Sequence, residues 1–241
     1  MPRIAILMYG LNRGVHTAFP SVQKNILDVL TKNNMQYDIY VHTYKLNGLY
    51  SNIRNHEKNL QIDPYEIETV VNPLNMIIDD QDEIDRLHDI TDYNKHGDCW
   101  NNGYVSTWNL IRALYSLKRV WSLINNKAYD GVMVVRPDVL FLNELNITHL
   151  LNAINDNNIY VPSFHPIFHE SHDAYNDRFA FGSKQSMTKY CTRYDYMKEY
   201  ATMKKLCSEH FLKYVIKTAK GTNILFNRVR ANGQIGRDCT I

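Results

Sequence analysis

Two apolar runs near the amino end, 3-RIAILMY-9 and 37-YDIYVHTY-44, constrain the fold more than any other feature. Between them Phe19, Val22, Ile26, Val29 and Leu30 recur at helical spacing, predicting a helix over about 17–33. Two buried strands joined through a helix form a parallel pair with a right-handed crossover. The pattern continues. Strands are expected at 66–71, 131–135, 158–164 and 178–183, and helices at about 104–125, 186–200 and 208–219. The long helix at 104–125 should turn Ile111, Leu114, Leu117, Val120 and Ile124 inward. The acidic stretch 79–98 reads as a short helix and a loop, with Asp79 and Asp80 at its solvated start, and the tail 221–241 as irregular and basic. Strands alternating with helices predict an α/β fold, a Rossmann-like, mostly parallel central sheet flanked by helices. No repeat, linker or charge block divides the 241 residues, so one domain is expected.

Composition removes several function classes. Net charge is +2, from 27 basic and 25 acidic residues spread along the chain, so no concentrated basic face points to nucleic acid. No apolar run reaches the roughly 18 residues of a membrane span, and MPRIAILMYG lacks a signal-peptide pattern. Cys99, Cys191, Cys207 and Cys239 are widely spaced without a C-x-x-C pair, which argues against zinc or a disulfide framework and predicts a reducing, cytoplasmic setting.

Ligands of open α/β sheets bind beyond the carboxyl ends of the strands. One such end carries 10-GLNRG-14, where Gly10, Leu11 and Asn12 bring backbone close to a ligand and Arg13 can fork onto a phosphate. The G-x-G-x-x-G fingerprint of dinucleotide sites is absent. A second is Arg136-Pro137-Asp138, after the apolar 132-VMVV-135; charges following a doubly buried strand are costly unless paired or liganded. A third group, 176-NDR-178, precedes a strand, and Asp177 is a carboxylate able to accept a proton from a hydroxyl. The loop 165-HPIFHESHD-173 is rich in metal-ligand types, but its spacing matches no known metal motif, and it reads as a polar loop over a cleft.

In this order and spacing, IAILMYGLNR, YDIYVHTY, VVRPDVLF and NDRFAFGS resemble GT-A-type glycosyltransferases of large DNA viruses and bacteria, including WavE-like lipopolysaccharide-synthesis proteins. The resemblance covers residues 3–45 and 105–185 and, more weakly, 208–217. It implies a single GT-A-like domain, with a nucleotide-sugar half over about 1–140 and an acceptor half over about 141–241. The implied activity is transfer of a sugar from a UDP-, GDP- or dTDP-linked donor to a hydroxyl of a glycan or glycoconjugate. In most such enzymes a D-x-D motif holds a divalent cation, Mn²⁺ or Mg²⁺, against the donor diphosphate. Here Arg136 replaces the first aspartate, so Asp138 alone is the implied metal ligand, or Arg136 neutralises the diphosphate directly. His42 and Thr43, ending the second strand, are implied nucleotide contacts, and Arg112 on the long helix a further cation. Asp177 is the implied base, with Glu170 or Asp173 as substitutes. In related enzymes a carboxyl-terminal histidine often completes the metal shell; His210, on a helix that turns Phe211, Leu212 and Val215 inward, is a weak match for it, and neighbouring Glu209 reads as acceptor-side or structural. A nucleotide-sugar-binding module without turnover, or a nucleotidyltransferase, are the alternative readings. A viral source would place the protein in the host cytoplasm.

Overall fold

The computed structural model describes residues 1–52, 56–164 and 174–237. Strand β1 (Arg3–Tyr9) leads through the loop 10–14 into α1 (Val15–Val22), a π-helical turn (Gln23–Leu27) and α2 (Asp28–Lys32), then into β2 (Gln36–Lys45). The antiparallel pair β3 (Tyr50–Asn52) and β4 (Glu57–Leu60) precedes α3 (Glu66–Val71), β5 (Asn75–Asp80) and α4 (Gln81–Asp85). Helix α5 (Val105–Ser122) returns the chain to β6 (Gly131–Val135), β7 (Val139–Phe141), α6 (Ile147–Asn155) and β8 (Ile159–Pro162). Then come β9 (Phe179–Ser183), α7 (Lys184–Cys191), α8 (Met197–Met203) and α9 (Ser208–Ile216). Strands β10 (Lys220–Thr222), β11 (Phe226–Val229) and β12 (Ile235–Gly236) follow.

The central sheet has seven strands in the order β10-β8-β9-β6-β1-β2-β5. Neighbours are parallel except at β9, which runs antiparallel to both β6 and β8. The fold is therefore α/β with a mostly parallel central sheet. Helix α5 packs on one face through Ile111, Leu114, Leu117 and Val120, each at most 1% exposed, and Ile124 just past its end is fully buried, as their spacing predicts. The other face is covered by the first helical segment, α6 and Phe226 of the tail. β1 and β6, buried from both sides, read as continuous apolar runs for that reason.

Three local expectations are corrected. Residues 66–71 are the helix α3, not a strand: Ile67 and Val71, one turn apart, bury together, and Asn72 stops the helix in the left-handed region with φ 49°. The edge strand is instead β5, whose Asp79 lies in the sheet beside Tyr44, while Asp80 caps α4 by accepting from Asp82 N. The tail is ordered into β10, β11 and β12; β11 pairs with β7 and β12 in a second, three-stranded sheet.

The cysteines also differ from expectation. Cys99 and Cys207, 108 positions apart, form a disulfide with Cα atoms 5.5 Å apart. Only the fold brings them together, so no local spacing announces the bridge, and it removes the ground for assigning a reducing compartment. Cys191 is a buried free thiol, and Cys239 lies outside the described residues. Among the described residues no helix is long and apolar enough to cross a membrane.

Candidate active site

Because β9 alone is reversed, its amino end lies at the same sheet edge as the carboxyl ends of β1, β2 and β6. The loop 10–13, Arg136–Asp138 and Asp177–Arg178 consequently share one cleft of about 720 Å³. Gly10, Leu11, Arg13, Arg112, Arg136, Asp138 and Asp177 line it; Asn12, His42 and Thr43 do not.

The last three hold the loop from behind. His42 and Thr43 are fully buried and Asn12 nearly so. Thr43 Oγ1 accepts from Asn12 N at 3.1 Å, and Ser116 Oγ accepts from Gly10 N at 2.7 Å. The Asn12 amide donates to Asp63 O and to Glu66 Oε2. Behind Ser116, His42 bonds it through Nδ1 at 2.6 Å and meets Asp79 through Nε2 at 3.1 Å, and Arg119 closes on Asp79. Burial pushes the His42 pKa down, so the ring is neutral at pH 7. This serine–histidine–aspartate array has nucleophile geometry but no access, since Ser116 is fully buried. It positions backbone.

Gly10 adopts φ 103°, which a side chain disfavours, and a Cβ there would meet nothing within 4 Å. The backbone at Gly10 is thus open to the cleft. Gly14, at φ 65°, abuts the tail: a Cβ would stand 2.5 Å from Val229 Cγ1.

At the cleft floor Asp138 is 2% exposed and gripped by two guanidinium groups. Arg136 Nε donates to Oδ1 at 2.9 Å and Arg136 Nη2 to Oδ2 at 2.7 Å, while Arg13 Nη2 donates to Oδ2 at 2.8 Å. Burial works against the charge on Asp138, but the field of Arg136, Arg13 and Arg228 outweighs it and holds the carboxyl well below its ordinary range. Arg13 Nη1 also donates to Tyr50 Oη at 2.7 Å, and its Nε–H finds no acceptor among the described residues.

Among the described residues, the donors around Asp138 suit a divalent cation poorly. Both Asp138 oxygens already accept from cations, and no group of three histidine, cysteine, aspartate or glutamate side chains converges among the described residues. Arg13, Arg112, Arg136, Arg178, Arg228 and Arg230 line the cleft against Asp82, Asp138, Asp177 and Glu209. At the floor itself the one carboxylate, Asp138, is shared by Arg13 and Arg136. Arg112 is diverted: it grips Asp85 through Nε and Nη2 at 2.8 and 2.6 Å and lies over the Trp108 ring.

Across from the arginines stand two carboxylates. Asp177 accepts from the Ser208 hydroxyl; burial raises its pKa, but Arg178, Ser208, Arg193 and Arg136 together hold it below the ordinary value. Glu209, in the first turn of α9 and 8% exposed, lies 3.8 Å from Arg178 and is pushed up to about 7 by burial and by the charge of Asp177. His210 is not in the cleft lining, and Glu170, Asp173 and the histidines of 165–173 fall outside the described residues.

Sequence reasoning missed the tail and the loop before α5. Arg228 and Arg230 alternate along 226-FNRVR-230, the period of one strand face, which is the signal the basic tail offered. Strand β11 delivers them by pairing Arg228 with Val139 and Val229 N with Asp138 O. In the loop 98–104, the Asp98 carboxylate accepts from the N–H groups of Trp100, Asn102 and Tyr104 at 3.0, 2.7 and 2.9 Å. Asn101, Gly103 and Tyr104 all have positive φ. For the bulky Tyr104 this is strain, on the order of 1–3 kcal/mol, which the Asp98 bonds offset.

No family model matches the chain, and no curated protein matches its sequence. Among solved structures, the crystal structure of mouse xyloside xylosyltransferase 1 in its apo form is similar, at 8% identity and a TM-score of 0.45, over 90% of this chain and 81% of that one.

Proposed function

We propose that the chain is a glycosyltransferase that takes a sugar from a nucleoside-diphosphate sugar to an acceptor hydroxyl, with arginines rather than a metal ion neutralising the diphosphate. The observation that carries this reading is the floor: Arg13 and Arg136, fixed by a shared buried aspartate, beside an open glycine backbone at the strand ends. A diphosphate presents acceptor oxygens only, and the guanidinium N–H groups not spent on Asp138 or Tyr50 can donate to them. Cleavage of the sugar–phosphate bond builds negative charge on the leaving diphosphate. Preorganised Arg13 and Arg136, with Arg228 contributing its field, lower that barrier electrostatically. Asp138 is then the buried counter-charge that holds the forks in place, not a metal ligand.

Titration calorimetry with UDP-, GDP- and dTDP-sugars, in EDTA and in Mn²⁺, tests the reading. One donor class should bind in EDTA, and Arg136→Gln should weaken it by about 10- to 100-fold, the worth of a charge-assisted hydrogen bond of about 1.5–3 kcal/mol. Binding only with Mn²⁺ would return the cation to Asp138. Binding with no turnover on any acceptor would favour a nucleotide-sugar-binding module, and no binding at all would sink both.

A further inference from the structure

One wall of the cleft is unused by the diphosphate reading. It is made from two distant segments that the Cys99–Cys207 bridge ties together, so that Trp100 and Ser208, chain neighbours of the bridged cysteines, both line the same cavity. From the first segment come the half-buried Trp100 ring, Asn102 and, one helical turn into α5, the exposed Asn109. From the second come Ser208 and Glu209. The Asp98 carboxylate fixes the loop that carries Trp100 and Asn102 by accepting from both backbone N–H groups. Asn102 is spent on Ser106, donating to its Oγ and accepting from its N–H, so the exposed Asn109 is the amide that faces a ligand. An aromatic face with an amide in the same cleft suits a saccharide: the ring covers the C–H face, and the amide serves hydroxyls as both donor and acceptor.

Resting on the glycosyltransferase reading, we propose that this bridged wall is the acceptor subsite, that it holds a saccharide over Trp100 with Asn109 on its hydroxyls, and that Glu209 is the base. In the transfer step the acceptor O–H gives its proton to the Glu209 carboxylate, and the oxygen forms a bond to the anomeric carbon. The bond from that carbon to the diphosphate oxygen breaks, its electron pair leaves with the nucleoside diphosphate, and configuration inverts. Nothing else is consumed. Asp177 is the poorer base, because Ser208 donates to it and the surrounding arginines keep it ionised. Glu209, raised to about 7, is matched to proton transfer near neutral pH. The negative charge of Asp177 instead helps raise the Glu209 pKa.

The test separates this subsite from the donor reading. Saturation-transfer NMR with methyl glycosides of glucose, galactose, mannose and xylose is run on the whole protein without donor, alongside donor calorimetry. At least one glycoside should bind, and Trp100→Ala and the exposed Asn109→Ala should each weaken it by about tenfold while donor affinity stays unchanged; the second variant guards against a fold lost with the tryptophan. With a bound donor, Glu209→Gln should lower kcat for transfer by about 10²- to 10⁴-fold, leaving donor Kd and acceptor KM near wild type. Donor binding without glycoside binding overturns the subsite alone, and glycoside binding without donor binding overturns the diphosphate reading alone. Wild-type kcat in Glu209→Gln removes it as base.

Discussion

The two walls of the cleft are built in opposite ways. The arginine wall comes from chain ends that strands deliver directly: Gly10 to Arg13 leave β1, and Arg136 to Asp138 leave β6, its immediate neighbour in the sheet. The facing wall depends on contacts between distant segments, the Cys99–Cys207 bridge across 108 positions and the docking of α9 beside Asp177 across 31. One wall is held by buried charge, the other by a covalent tie and a wound loop. Charge should be the more brittle support, since removing a buried counter-ion strands its partners.

Asp138→Ala provides the severest test of that contrast. It leaves Arg13 and Arg136 facing each other without their shared carboxylate, and a broken buried pair costs about 3–5 kcal/mol. Urea unfolding should show a loss of that size, and donor binding should fall with it; a loss under 1 kcal/mol would mean that the arginines are solvated and the wall is not charge-locked.

Reducing the bridge, or Cys207→Ser, should cost about 2–4 kcal/mol in the same assay, because the bridge closes a long loop. Its sharper signature is selective: glycoside binding should weaken while donor affinity is retained. Equal damage to both ligands would show that the walls are mechanically one.

His42→Ala comes next, at about 1–3 kcal/mol for the buried hydrogen bonds it strands on Ser116 and Asp79. Although His42 does not line the cleft, the Gly10 backbone loses its support, so donor affinity should drop in parallel. Unchanged donor affinity would detach the buried array from the site.

Glu209 gives the facing wall its own pH signature. Its folded pKa, about 7, lies above the ordinary 4.5, so between these values the folded state keeps a proton that the unfolded chain releases. Its contribution to stability is therefore present below about pH 4.5 and lost as pH rises to about 7. Glu209→Gln should flatten that decline in unfolding measured from pH 4 to 8, and wild-type transfer should rise over the upper part of the same window. The smallest effect belongs to Arg112→Ala: its partner Asp85 is partly exposed, so stability should change by less than about 1 kcal/mol and donor affinity should hold.

How much was legible follows the same division. The doubly buried strands β1 and β6, the long helix α5 and the charged ends beyond them could be read because their signals are local and periodic. The edge was harder. EIETVV carries β-branched residues that suit a strand, yet a helix forms because packing of Ile67 and Val71 outweighs a weak local preference. The sequence offers Asp177 only as a carboxylate before a strand; it reaches the cleft because β9 is reversed, a pairing choice made with β6 and β8 that no local signal announces.

By itself, then, the sequence determined an α/β sheet with Gly10, Arg13, Arg136 and Asp138 beyond the carboxyl ends of its strands, since hydrophobic period and punctuating residues act over a few positions. Tertiary structure alone decided that Asp138 serves two arginines, that His42 and Thr43 stand behind the loop, and that Arg228, Trp100 and Glu209 reach the cleft. Each of these depends on which distant groups meet. Burial and partner charge, not residue type, determine whether a carboxylate clamps a cation or stands ready to take a proton.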